Sequence, residues 1–341
     1  MVSKQIGEMV YDTIVNYTKL QNKTKLLYFN YLSKGKSVND FNEVADKLWN
    51  NIDHKFMDKQ INKLQEAIHN EDVKIAARYG KKEEQDLIVK DKNKTYYKLV
   101  PESEFNKVEK KFKDRVVYSY DKAMKTAKNV DLDMYLEKKL DSYDNEVNKA
   151  IAYYGKHNEV VRHVDVSTYL SMLHNTNLTR SAWNQTLIDA DRLNAEYFFI
   201  PTHPFSCPEC AIWQGKPLDK ETVENEFGEA EEQVGDLLHP NCKCTLSILW
   251  DTQQLNASKE YQKEYTSEEL EEQYNVRQKV NSITLMKSRI RNDINIAKML
   301  GNDGLVDKLQ KRNKTLNERE KKLVNSLPTT SLKKQVEAIN R

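Results

Sequence analysis

The chain has 341 residues, with 54 basic and 52 acidic side chains and a net charge of +2, so no overall charge draws it to nucleic acid or anionic membranes. Only 38% of its residues are hydrophobic and 31% are charged, which predicts extended helices with narrow buried stripes rather than one large core. No stretch approaches the roughly 18 apolar residues of a membrane span. The first residues lack a secretory-signal layout, so we expect a protein made in a cytoplasm, without a membrane partner.

Apolar residues recur at helical spacing through most of the first 195 residues. Gly35 is placed to end the first helix and Ser103 to cap a later one. Residues 87–100 have β character around a polar turn and predict a small hairpin. The predicted helices cover residues 5–34, Val38–Trp49, 54–80, 103–128 and 132–154, followed by two shorter helices within 167–194 that break near Asn177 and Thr179.

The pattern changes at Glu196–Pro201, an aromatic and β-branched segment that predicts a strand, as does Thr245–Trp250. A polar helix is predicted near Lys220–Val234, between these strands. After residue 251, Thr266 and Glu269 fit a capping box, and two helices separated by a Gly-Asn-Asp-Gly turn at Gly301–Gly304 predict a helical hairpin or short coiled coil.

These segments predict a mainly α fold with three regions. A helical N-terminal region covers residues 1–195, a small α+β zinc-binding module covers 196–251, and a helical hairpin or coiled coil covers 252–341. The helical regions are expected to extend as arms around the module.

All four cysteines lie between Cys207 and Cys244, and a cluster in a reducing compartment indicates a metal site. Cys207-Pro-Glu-Cys210 is a C-x2-C pair, and His239-Pro-Asn-Cys242-Lys-Cys244 follows about thirty residues later, a spacing typical of tetrahedral zinc modules. We expect Cys207, Cys210 and Cys242 as ligands.

The fourth zinc ligand is either His239 or Cys244, and His203 is a further candidate, as a ligand or as a supporting group. Two alternatives remain, which are a Cys207–Cys210 disulfide and four thiols without metal.

With four or more nitrogen and sulfur ligands available, the zinc site is expected to be closed and structural, and no catalytic residue is predicted. Glu209, between two ligand candidates, is expected to point outward. Trp213 is expected to form a small hydrophobic lid beside a turn at Gly215. The lysine-rich segments 107–113 and 308–314 are expected to be solvated helix faces, because acidic residues are interleaved with the lysines.

The motifs CPECAIWQGKPL and HPNCKC resemble those of the phage minor head protein family, also called head morphogenesis or Mu F-like proteins, as in tailed phages of the staphylococcal type. Lys243 replaces the arginine usual in that family. Cys207 and Cys210 match the C-x2-C of one branch, whereas His203 and Cys210 match positions that are histidine in another. The match covers only about residues 200 to 250.

This resemblance implies a virion component present in few copies inside the phage head, near the portal. The implied partners are the portal protein and a scaffold or major capsid protein, with phage DNA as a further candidate during packaging or ejection, and no small-molecule substrate. One alternative is a DNA-binding protein on the genome ends, which predicts salt-dependent affinity. A zinc-dependent nuclease is the less favoured alternative, because it needs a general base beside the metal.

Overall fold

The computed structural model describes residues 2–50, 52–79, 100–154, 160–203, 205–227, 242, 244–250, 252–255, 266–328 and 333. Helices dominate this part of the chain, together with two small antiparallel sheets, which confirms the mainly α fold class. The α-helices are α1 Val2–Ser33, α2 Val38–Trp49, α3 Lys55–Tyr79, α4 Glu102–Ala127, α5 Leu132–Val147, α6 Val166–Arg192, α7 Pro208–Ala211, α8 Lys220–Phe227, α9 Ser267–Met299 and α10 Asp303–Asn325. The strands are β1 Ala152–Tyr154, β2 Val160–His163, β3 Tyr197–Phe199, β4 Leu218–Asp219 and β5 Ser247–Ile248.

The chain forms two compact units, each assembled from three stretches of sequence. The first unit comprises Met1–Tyr11, His54–Pro101 and Met172–Arg277, and the second comprises Asp12–Asp53, Glu102–Ser171 and Gln278–Arg341. Both units are therefore discontinuous in sequence. The division into three consecutive regions stays a prediction.

Several helix ends follow from local sequence, of which the Gly35 and Thr266 ends were predicted and the Ser37 cap was not. Gly35 follows α1 with a φ of +61°, a left-handed conformation that glycine adopts without a Cβ penalty. Ser37 and Asp40 form a capping box at the start of α2. At α9, the Glu269 amide donates to Thr266 Oγ1 at 3.2 Å and the Thr266 amide donates to the Glu269 carboxylate at 2.7 Å, which is the predicted reciprocal cap.

Two boundary predictions for α4 and α5 are wrong. Helix α4 begins at Glu102, so Ser103 lies inside its first turn and does not cap it. Helix α5 ends at Val147 instead of residue 154, and a short 3-10 turn leads into β1, which pairs antiparallel with β2. The Ala-Tyr-Tyr segment thus gains ladder hydrogen bonds from the next strand along the chain, β2, which a helical periodicity does not reveal.

The predicted break near Asn177 and Thr179 is also wrong, because α6 is one continuous helix from Val166 to Arg192. The Asn177 side chain bonds both the amide and the carbonyl of Val100, at 2.8 and 3.1 Å. The Thr179 hydroxyl likewise bonds the Cys242 carbonyl. Because both side chains bond other segments instead of their own backbone, they do not compete with the hydrogen bonds of the helix. Of the hairpin predicted at residues 87–100, only Val100 lies within the described residues.

The core of the second unit is an aromatic cluster between α1, α2, α4 and α5. Tyr28 contacts Phe41, Tyr120 and Tyr143 edge-on, and Phe41 stacks on Tyr120 with ring centroids 4.2 Å apart. The Tyr28 hydroxyl donates to the Ser119 carbonyl at 3.0 Å, which satisfies its only buried polar atom. Aromatic rings thus supply much of the buried area that a polar sequence needs.

The C-terminal segment of the second unit is a helical hairpin, as predicted. Gly301 follows α9 with a φ of +71°, and Asn302 caps α10. Thr284 and Lys287 on α9 both bond the carboxylate of Glu320 on α10, at 3.2 and 2.6 Å. These contacts join residues at similar distances from the turn, so the two helices run antiparallel. No described helix is long and apolar enough to cross a membrane.

Candidate metal centre

The first cysteine segment is a single tight turn that follows β3 in the first unit. Cys207 is the N-cap of α7, and its Sγ accepts a hydrogen bond from the Cys210 amide at 3.3 Å. Pro208 occupies the first helical turn, where its missing N–H costs nothing. The turn therefore brings Cys207 and Cys210 to one side of the backbone, as a C-x2-C pair requires.

The second cysteine segment leads into β5, which pairs with β3, with Phe198 opposite Ile248. Strand β4 pairs with the other edge of β3, with Leu218 opposite Phe198. Because the first segment leaves β3 and the second enters β5, the sheet brings the two segments together. The Sγ atoms of Cys210 and Cys242 are 3.6 Å apart.

Three thiols form one buried group. The Sγ atoms of Cys210, Cys242 and Cys244 all lie within 4.8 Å of one another, and each residue is at most 3% exposed. Four sulfur ligands about 2.3 Å from a tetrahedral ion would stand about 3.8 Å apart. The donor set and the spacing therefore fit a thiolate-bound metal, and this group could hold a metal ion.

Two nitrogen atoms contact the sulfur of Cys244 from outside the group of thiols. His203 Nε2 lies 3.3 Å from Cys244 Sγ, and the Gln214 side-chain amide donates to the same sulfur at 3.3 Å and to Ser206 Oγ at 2.8 Å. Hydrogen bonds from neutral donors favour the thiolate, so both side chains suit a sulfur that carries negative charge.

Cys207 borders the group at Cys210 and is 9% exposed. The pKa of the Cys210 thiol is raised above its ordinary value. The largest cause is the neighbouring thiol of Cys207, followed by those of Cys242 and Cys244 and then by burial, because nearby sulfurs and a dry environment both disfavour a thiolate. A cation among the sulfurs reverses this preference, since a coordinated thiol loses its proton. All four cysteines are thiols in the structure, and none forms a disulfide.

Helix α6 fixes the second cysteine segment through side chains on one of its faces. Asn175 and Thr179 both donate to the Cys242 carbonyl at 2.9 Å, and the Trp183 indole donates to the Cys244 carbonyl at 2.8 Å. One turn further, Thr186 Oγ1 donates to the Leu246 carbonyl at 3.3 Å. This row of four donors is here called the α6 ladder. It binds the backbone carbonyls of the second cysteine segment to the side of α6, in place of a neighbouring strand.

A cavity of about 130 Å³ lies beside the group of thiols in the same unit, between α3 and the segments around His203 and Thr245. Asp72 lines this cavity, and burial, followed by the charge of Asp189, raises its pKa well above the ordinary value. Asp189 is fully buried and lies 3.0 Å from His69 Nδ1. His203 lines the cavity and the four cysteines do not, so the thiols are closed off from it.

The structure thus brings together Cys210, Cys242 and Cys244, with Cys207 beside Cys210 and His203 beside Cys244. His239 lies outside the described residues, so its role stays a prediction.

Around the thiols, Glu209 is exposed as expected. Trp213 packs partly buried against the apolar core around the cysteines, and Gly215 has a φ of +69°, which supports the predicted turn.

The sequence interpretation missed the side chains that support the thiols. Gln214, within the WQGK turn, contacts the site itself, while its neighbour Trp213 was expected to cover it. The residues of the α6 ladder could have been recognised from their spacing in the sequence. Their spacing of four, four and three residues places hydrogen-bond donors on one face of a helix.

Comparison of the chain with protein-family models, with curated proteins and with solved structures gives no match.

Proposed function

We propose that the chain is a minor head protein of a tailed phage, a structural component that acts during head assembly near the portal. In this proposal, one zinc ion binds both cysteine segments and stabilises the fold. One observation carries this proposal. The two motifs that resemble the minor head family, CPECAIWQGKPL and HPNCKC, supply the three sulfurs of a single buried group. The resemblance and the metal chemistry therefore rest on the same residues.

The ion proposed for this group is zinc, because a site built from thiolates at tetrahedral spacing selects zinc among common cytoplasmic metals. We infer that Cys207, Cys210, Cys242 and Cys244 bind it. Cys207 completes the set because its sulfur already accepts the Cys210 amide, and its thiol neighbours that of Cys210. His203 and Gln214 then act as hydrogen-bond donors to the Cys244 sulfur.

A structural role for the ion, rather than an enzymatic one, is favoured by the closed surroundings of the thiols. Four protein sulfurs leave no open coordination position for water or substrate, and the neighbouring cavity is lined by none of them. In a unit whose described strands have only two or three residues, a bound ion would add folding free energy to that of the apolar core around the cysteines.

The proposed function is tested in the phage that carries the gene. We compare purified heads from the wild type, from a Cys210→Ser/Cys242→Ser double variant, and from a Lys311→Gln control on the exposed face of α10. Mass spectrometry is expected to find the wild-type and control proteins in heads at few copies. The double variant is expected to be incorporated much less, with fewer infectious particles.

Two results would count against the proposal. Absence of the wild-type protein from both mature heads and assembly intermediates would exclude a head component. Normal incorporation and infectivity of the double cysteine variant would leave the head assignment in place, but would remove the zinc staple from it.

A further inference from the structure

Arg277 lies on α9 in the first unit, with its guanidinium carbon 5.2 Å from the centroid of the Phe205 ring. The side chain is partly buried, and burial lowers the pKa of Arg277. Within the described part of the chain, no carboxylate forms an ion pair with this guanidinium, which contacts the Phe205 ring and interacts electrostatically with Tyr274. A desolvated cation without a counter-charge is costly, so its position calls for a partner.

Gln273 lies one helical turn before Arg277 on the same face of α9. It is only 2% exposed, and neither its Oε1 nor its Nε2 atom has a hydrogen-bond partner among the described residues. Buried amide groups in folded proteins are nearly always bonded, because an unmade bond forfeits their hydration. Two polar side chains one helical turn apart are thus buried or partly buried without a hydrogen-bond partner for their side chains in the part of the chain that the structure describes.

The ring that faces Arg277 belongs to a residue in an unusual conformation. Phe205 has a φ of +61°, in the left-handed region that residues with a Cβ seldom adopt. It is 4% exposed and lies two residues before Cys207. The ring covers one side of the guanidinium, which leaves the edge of the arginine fork to bind a ligand.

We propose that Arg277 and Gln273 form an oxyanion-binding site that takes a phosphate or carboxylate group. The guanidinium donates two parallel hydrogen bonds to two oxygens of the anion, and the Gln273 amide donates a third after its side chain rotates toward the ligand. Arg277 retains some exposure, so the anion reaches it first. The inference goes beyond the proposed function, because it holds whether or not the chain assembles into a phage head.

The test uses the full-length protein with inorganic phosphate and, separately, with acetate, at an ionic strength held constant with sodium chloride. Binding is measured by calorimetry and by the shift in the unfolding temperature. The variants are Arg277→Gln, Gln273→Leu and a control, Arg291→Gln, which removes an exposed arginine from the same helix.

Wild type and Arg291→Gln are expected to bind at least one of the two anions and to unfold at a higher temperature in its presence. Arg277→Gln is expected to weaken binding about tenfold or more, since it removes charge-assisted hydrogen bonds. In chloride alone, Arg277→Gln should unfold at the same or a higher temperature than the wild type, because it removes an unpaired charge. Gln273→Leu is expected to weaken binding several-fold.

Binding of phosphate alone would assign the site to phosphoryl groups, and binding of acetate alone would assign it to carboxylates; both support an oxyanion site. The proposal is overturned if neither anion binds the wild type, or if Arg277→Gln binds as well as the wild type. Should Arg277→Gln not fold, Arg277→Lys keeps the charge without the fork, and unchanged affinity in that variant would also overturn the proposal.

Discussion

The sulfur of Cys207 caps α7 and also lies beside the thiol of Cys210, where it could bind a metal ion. Substitution by serine distinguishes the capping role from the metal-binding role, since serine is a good N-cap but lacks the thiolate that zinc prefers. The conformation of the turn should therefore survive in Cys207→Ser while its contribution to metal binding is lost.

We predict that Cys207→Ser lowers the affinity for zinc more than His203→Gln does. In the proposed site His203 bonds the Cys244 sulfur and does not bind the ion, and loss of such a supporting group costs about 10- to 100-fold in affinity. Competition with a chromophoric chelator at neutral pH measures both variants. Retention of zinc by Cys207→Ser together with its loss from His203→Gln would instead identify the imidazole as the fourth ligand.

Asp72 gives the first unit a pH dependence of known sign. Burial, and then the charge of Asp189, raises its pKa in the folded chain, so the folded state favours the protonated acid. The resulting stabilisation is present at pH values below the ordinary carboxyl pKa and is lost as the pH rises through the folded-state pKa.

Asp72→Asn is therefore predicted to remove this dependence, because the amide resembles the neutral acid at every pH. Relative to the wild type, the variant should be more stable in urea at about pH 9 than at about pH 5. Glu66→Gln, at an exposed position on α3, serves as the control and should follow the wild type. A stability difference between Asp72→Asn and the wild type that does not change with pH would contradict this account.

Among the elements, α6 connects the fold to the metal centre, because its donors bond the carbonyls of both cysteines in the second segment. Thr179→Val removes one buried donor with little change in volume, and should destabilise the protein by about 1 kcal/mol. Thr176→Val is the matched control, since among the described residues that hydroxyl bonds only the Met172 carbonyl of its own helix. Urea unfolding that ranks Thr176→Val as the more damaging change would contradict the role of the ladder.

The turn of the C-terminal hairpin contains two glycines whose replacement by alanine is expected to change stability in opposite directions. Gly301 has a φ of +71°, so Gly301→Ala should destabilise the protein by about 1–2 kcal/mol. Gly304 lies inside the first turn of α10 at ordinary φ, and an added Cβ would meet only Asn302 Oδ1 at 3.7 Å. Gly304→Ala should therefore be stabilising by about 0.4–1 kcal/mol, and thermal unfolding of the two variants is expected to diverge in sign.

The sequence predicted elements well where their cause is local. Glycine after α1 and the Thr266 cap act within a few residues, so α1, α2, α3, α9 and α10 could be located. The continuity of α6 and the supporting role of Gln214 depend on partners far along the chain, in the second cysteine segment. The end of α5 depends on the pairing of β1 with the next strand, β2, which a helical periodicity does not show. A local pattern contains no information on such partners, and this is why the site's thiols were predicted but most of their supporting side chains were not.

For the whole molecule, the polar composition and the metal centre are connected. The second unit is stabilised by an aromatic core and a helical hairpin, whereas the first unit contains the thiols and the three-stranded sheet, whose strands have only two or three residues. A bound ion is expected to contribute most to the stability of the first unit, because the strands around the thiols are short. Removal of metal should therefore loosen the first unit before the second, which hydrogen exchange resolved by peptide can detect.

The most direct measurement for the central claim is X-ray absorption at the zinc edge, on protein purified under reducing conditions and assayed for metal content. We predict about one zinc ion per chain with four sulfur neighbours at about 2.3 Å and no nitrogen at the shorter distance of about 2.0–2.1 Å. A protein that is free of metal as isolated, and that unfolds at the same urea concentration with and without added zinc, would contradict the claim.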